Sequence, residues 1–203
     1  MSIWIAIWFL IALFILGTFG WTVLLLTKQT KAWKSYADKF KLNYTKPPSL
    51  LKSPTIGGEI DGFSVTIYSE EQVSPDNRGP RYRNVVLIGC PFSPATGGII
   101  ATPYFSPFVA TLETPETFVP DFAGWNSSLL FRVQNADSLK EYMTQDRLKL
   151  LHSFMATKNA ETLFIFNQQD SFLRLETADP LSDASKLESL VNKMLSIGKA
   201  MKP

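Results

Sequence analysis

From Ile3 to Thr27 the chain carries no charged side chain, and that run constrains the molecule more than any other stretch. Nearly all of it is apolar. At about 1.5 Å per residue, a helix of this length reaches roughly 36 Å, enough to cross a hydrocarbon core of about 30 Å with some tilt. The run reads as a transmembrane helix. A cleaved signal peptide, the rival reading, would need a basic region ahead of a shorter apolar core and small residues at a cleavage point. No Lys or Arg precedes Ile3, and Lys28 follows without an A-x-A site.

Basic residues resist translocation, so the flanks predict orientation. Lys28, Lys31, Lys34, Lys39, Lys41, Lys46 and Lys52 all follow the run, with Asp38 the one acid among them. The positive-inside rule then puts the N-terminus outside and the bulk of the chain in the cytoplasm. The expected location is the inner (cell) membrane, crossed once. Trp4 and Trp8 would sit near the outer interface and Trp21 toward the inner one, where amphipathic rings are favoured. Ala6, Leu10, Leu13, Gly17, Gly20 and Leu24 recur at alternating spacings of four and three and form a seam. Small residues on such a seam let a second helix approach closely in lipid, so Ala6, Leu13, Gly17 and Gly20 are candidate packing positions for a transmembrane helix of a larger complex. The alternative is that glycine is simply common in membrane helices.

The net charge of +2 divides unevenly. Residues 1–55 hold seven lysines against one acid, or +6, and the remainder holds thirteen basic and seventeen acidic residues, or −4. Cations beside a span are drawn to anionic lipid headgroups by about 1 kcal/mol each near the surface. Lys28, Lys31 and Lys34 are therefore expected at the membrane surface, and nucleic acid is not an expected partner. The single cysteine, Cys90, excludes an internal disulfide framework. The expected organisation is an anchor over 1–28, a basic juxtamembrane helix and linker over 29–55, and a soluble domain over 56–203, long enough to bury a full core.

Ala32, Trp33, Tyr36, Ala37 and Phe40 recur at three and four residues, which predicts a helix with a narrow apolar stripe that packs on the domain instead of lying on the bilayer. Lys46-Pro47-Pro48 stops helix. Residues 56–68 read as a hairpin about Asp61-Gly62, 70–81 as a polar loop, and 82–90 as a strand buried on both faces. Prolines alternate with aromatics over 91–125, where a short strand is expected near Gly98–Ala101 or Phe108–Leu112. Beyond it come a strand at 129–133, a helix capped by Asp137, and another capped by Thr144 and running to about Ala156. A hairpin then pairs 162–166 with 172–176 across Gln168–Ser171, and a closing helix follows Asp179-Pro180. This order predicts an α+β fold, a largely antiparallel sheet with helices on one side. The segments Phe131–Leu139 and Met143–Leu148, Leu173-Arg174-Leu175 and the closing helix together resemble a pattern in bacterial membrane-anchored proteins of unknown function, a likeness of packing that implies no catalytic residue.

Motifs with a stated mechanism are absent: there is no Walker-type loop, G-x-G-x-x-G, H-E-x-x-H or G-x-S-x-G. His152, the one histidine, excludes a two-histidine metal site and sits beside a helix's inward stripe. Cys90 reads as a buried small hydrophobe and not as a reactive thiol. No metal, cofactor or catalytic residue is expected. Two surfaces remain. Arg78, Arg81 and Arg83 cluster about a turn and suit phosphate or carboxylate. Phe92, Tyr104, Phe105 and Phe108 would mark a protein or membrane contact if exposed, or fold back as a lid over the sheet. The leading expectation is a non-catalytic accessory or scaffolding subunit of an inner-membrane complex; the alternative is a membrane-tethered module for a lipid or other apolar ligand.

Overall fold

The apolar run ends near Thr27, but the helix does not. In the computed structural model, which describes residues 3–49, 51–72, 81–92, 94, 96–167 and 171–203 and only the backbone of Arg81, helix α1 spans Ile3–Phe40 without a break. Residues 3–22 are exposed throughout, and this helix is long and apolar enough to cross a membrane. From Gln29 onward one face turns inward: Trp33, Tyr36 and Ala37 are fully buried, as their spacing predicted. The lysines Lys28, Lys31 and Lys34 stay exposed on the other face.

Among the described residues nine strands follow: β1 (Asn43–Thr45), β2 (Thr55–Ile60), β3 (Phe63–Gln72), β4 (Arg81–Cys90), β5 (Gly98–Ala101), β6 (Glu116–Thr117), β7 (Leu130–Val133), β8 (Ala160–Phe166) and β9 (Ser171–Thr177). They form one sheet in the order β1-β2-β3-β4-β9-β8-β5-β7-β6, and every ladder is antiparallel. The helices are α2 (Ser106–Val109), α3 (Ala136–Lys140), α4 (Gln145–Met155) and α5 (Ala184–Ala200), with a 3₁₀ turn at Pro103–Phe105 before α2. The fold is thus α+β, as expected.

Alternation of side chains along the strands builds two cores. Ile67, Val86, Ile88, Phe164, Leu173 and Leu175 meet Trp33, Tyr36, Leu151, Phe154, Leu187 and Val191 from α1, α4 and α5 on the inner face. Ile99, Ala101, Leu163 and Ile165 point the other way, onto a smaller cluster with Phe105 and Val109. At the β2–β3 turn, Asp61 (φ 53°) and Gly62 (φ 82°) both take the left-handed conformation a two-residue type I′ hairpin needs. Gly98 matters for another reason. A Cβ there would lie 2.5 Å from the Phe166 ring and 2.9 Å from Val133, so β5 can sit between β8 and β7 only without a side chain at this position.

Several sequence expectations are corrected. Glu70–Gln72 and Arg81 are not loop: they extend the β3–β4 ladder by the pairs Glu70↔Arg83, Glu71↔Tyr82 and Gln72↔Arg81, and cross-strand pairing holds these polar residues extended. Within the expected proline-aromatic alternatives, the strand is Gly98–Ala101, while Phe108 belongs to α2, where the prolines begin helical turns. Helix α3 is capped two residues earlier than expected, by Asn135 accepting from Ser138 N–H, and not by Asp137. Asp179-Pro180 does not open α5. Asp179 Oδ1 instead accepts from Leu181 N–H, Leu181 turns left-handed (φ 48°), and its carbonyl accepts from Trp33 Nε1–H at 3.2 Å. Asp183 caps α5. Thr144 does cap α4. The expected turn at Gln168–Ser171 falls largely on 168–170, outside the described residues, and β1 and β6 are edge strands the periodicity did not indicate.

Candidate functional site on the outer face of the sheet

The outer face of the sheet is covered only in part. Residues 102–112 lie over β5 and β8, and between them and β9 a cavity of about 590 Å³ opens, lined by Tyr104, Phe105, Pro107, Phe108, Leu163, Phe172, Arg174 and Glu176. Its size falls within the roughly 300–1,000 Å³ typical of small-molecule sites, and its makeup, mostly apolar with a few convergent polar groups, is also typical of them. The local sequence explains the wall. Pro103 and Pro107 begin helical turns that turn Phe105 and Val109 inward and leave Tyr104 and Phe108 at the rim, 40% and 42% exposed.

The polar side is one hydrogen-bonded group. Arg174 donates from Nε to Glu176 Oε1 at 2.8 Å, from one terminal nitrogen to the Tyr68 hydroxyl at 3.3 Å, and from the other to Glu70. Gln72 Nε2 donates to the second Glu176 oxygen at 2.6 Å. Glu176 is almost fully buried, and these donors satisfy its carboxylate oxygens. Burial works against the Arg174 charge, but Glu176, Tyr68 and Glu70 together outweigh it and hold the guanidinium protonated above its ordinary range. Burial likewise pushes the Tyr68 and Tyr104 hydroxyls up. Arg83 stacks over the Tyr104 ring, 4.8 Å from its centroid, and fixes the rim from the β4 side.

Sequence-predicted residues divide between this site and elsewhere. Tyr104, Phe105 and Phe108 form its wall and Arg83 braces the rim, so the aromatic segment and one arginine of the cluster do meet. Phe92 is buried in the inner core instead, and Phe118 packs there on Phe131. Arg78 lies outside the described residues, and only the backbone of Arg81 is described. Ala6, Leu13, Gly17 and Gly20 remain exposed on α1, with nothing within 4 Å of a Cβ built at either glycine. Sequence reasoning missed Arg174, Glu176 and Glu70. The signal was the alternation Phe172, Arg174, Glu176 in β9, which reads as a solvated face until the 102–112 segment is brought beside it.

The remaining reactive side chains are occupied or shielded. His152 packs edge-to-face with Phe122 and tilted against Trp125. Burial pushes the Cys90 thiol up to about 12. Among the described residues, no three His, Cys, Asp or Glu side chains gather closely enough to hold a metal. The fold and site define a class: a single apolar helix running unbroken into an α+β domain whose antiparallel sheet carries an aromatic-walled cavity. No protein family, curated protein or solved structure matches the chain.

Proposed function

We propose that this protein is a membrane-anchored binding module whose outer-face cavity takes an apolar or amphiphilic ligand. The observation that carries the reading is the cavity itself: an apolar bed of Leu163, Phe105 and Phe172 beside a preorganised Arg174–Glu176–Tyr68 group able to orient a polar end. Continuity of α1 supports the anchor, because Gln29, Trp33 and Tyr36 hold the helix in the domain only a few residues past the apolar run. Orientation follows from the lysines after the span, which favour a cytoplasmic domain at the cell membrane. The module is non-catalytic in this reading, given the shielded Cys90 and the ring-packed His152. The test is mass spectrometry of the full chain released from mild detergent, beside Phe108→Ala and Tyr104→Ala. Expected is one apolar compound per chain, depleted in both variants. An empty parent chain that also fails to take up an apolar fluorophore overturns the reading.

A second reading is favoured by one observation. The open seam of Ala6, Leu13, Gly17 and Gly20 leaves room for a partner helix, as an accessory subunit of a membrane complex requires. Co-purification of one membrane partner, abolished by Gly17→Ile with Gly20→Ile, supports it; a lone monomer in both cases counts against it.

A further inference from the structure

A second cavity lies on the inner side of the sheet, where α1 leaves the membrane. It measures about 660 Å³, and its apolar bed is Leu25 and Leu26 of α1 with Leu51 and Pro180, under a rim that includes Lys52 and Tyr82. Leu51 and Tyr82 are 54% and 58% exposed.

A hydrogen-bonded clamp sets its depth relative to the bilayer. Gln29 Nε2 donates to Asn84 Oδ1 at 3.0 Å, Ser53 donates to Gln29 Oε1 at 3.0 Å, and Ser69 and Asn84 Nδ2 bind Asn84 Oδ1 and the Asp179 carbonyl. These bonds fix the Ser69↔Asn84 rung of the β3–β4 ladder at the level of Gln29. Three further rungs, to Gln72↔Arg81, carry the ladder about 10 Å toward the span at about 3.3 Å each, which is six or seven helical residues and ends near Thr22. The lining agrees, because Thr22 and Leu25 share this cavity with Glu71 and Tyr82. Above that level Ile3–Thr22 leaves about 20 residues, or roughly 30 Å, the thickness of a hydrocarbon core. Leu25, Leu26 and Leu51 therefore stand just outside the hydrocarbon, at headgroup depth.

We infer that this cavity seats one anionic phospholipid from the leaflet on the domain's side, its phosphate against Lys52 and its first acyl carbons on Leu25, Leu26 and Leu51. One wall is the spanning helix itself, so the cavity opens onto the bilayer and its neighbour there is lipid. Lys52 is the cation of the lining and among the described residues pairs with no carboxylate; Glu71, the lining's carboxylate, accepts from the Tyr82 hydroxyl at 3.1 Å, and Lys28, about one helical turn after Leu25, adds a second cation beside the cavity. The site faces away from the outer cavity, so the two stand or fall separately.

The experiment uses the full chain in phosphatidylcholine nanodiscs doped with a phosphatidylglycerol carrying a diazirine near the head of one acyl chain. After irradiation, adducts are expected on residues 22–26 and 51–55, several-fold above those on 3–21. Unlabelled phosphatidylglycerol should compete at least five-fold better than phosphatidylcholine. Leu51→Glu with Lys52→Glu, both exposed, should cut labelling of these peptides at least five-fold. Adducts spread evenly along α1, or equal competition by the two lipids, overturn the assignment; both are read on the parent chain and need no variant to fold.

Discussion

Replacing Trp33 by Ala tests whether the end of the membrane helix is a structural part of the domain. The ring is fully buried among inner-core residues, and its Nε1–H donates to the Leu181 carbonyl at the left-handed turn before α5. Truncating a buried Trp costs about 3–5 kcal/mol, including the cavity left behind, and leaving the carbonyl without its donor adds about 1 kcal/mol. Against a total stability of about 5–15 kcal/mol this is a large share. At roughly 2–4 °C per kcal/mol for a chain of this size, a loss of about 4–6 kcal/mol lowers Tm by about 8–24 °C. The assay is thermal unfolding in detergent, followed by far-UV circular dichroism and by the accessibility of Cys90 to a thiol reagent. Trp21→Ala is the control: the same residue type on the same helix, but 64% exposed and clear of the domain. The reasoning is refuted if Trp33→Ala and Trp21→Ala melt alike, or if a chain beginning at Asn43 is as stable as the full one.

Three further outcomes follow from particular contacts. The Tyr36 hydroxyl is buried with no hydrogen-bond partner among the described residues, so Tyr36→Phe should leave stability unchanged or raise it by about 1 kcal/mol, and a loss in chemical denaturation would reveal a partner. Arg174→Met strands the buried Glu176 carboxylate and should cost about 3–5 kcal/mol; adding Glu176→Gln should recover a good part of it, and strictly additive losses in the double-mutant cycle would dissolve the proposed pairing. Burial raises the folded Cys90 pKa above its ordinary 9.0, so the neutral thiol's contribution to stability is complete below pH 9 and fades as pH climbs from 9 toward about 12. At neutral pH the thiol should react only on unfolding, and fast labelling of the native chain would contradict its burial.

Much of the fold was legible in order along the chain because local chemistry decided it. A charge-free run long enough to span a bilayer, the Asp61-Gly62 turn, the Thr144 cap and the unbroken apolar runs of β4 and β8 each specify structure within a few residues. Where the local signal pointed wrong, a distant contact had intervened. Asp179-Pro180 looks like a helix start, yet the segment turns back at Leu181 to meet Trp33, 148 residues away, and Asp183 takes the cap.

The sequence alone therefore determined the anchor, the α+β class and the presence of an unusual aromatic segment, since each rests on periodicity or on an unbroken run of one residue character. Tertiary structure alone decided which aromatics form a wall and which join the core, and that Arg174 and Glu176 line the same cavity. The physical reason is pairing across the sheet. Strand order puts β9 between β4 and β8 and so beside the 102–112 segment that covers β5 and β8, and no pattern within one segment records which strand will become its neighbour.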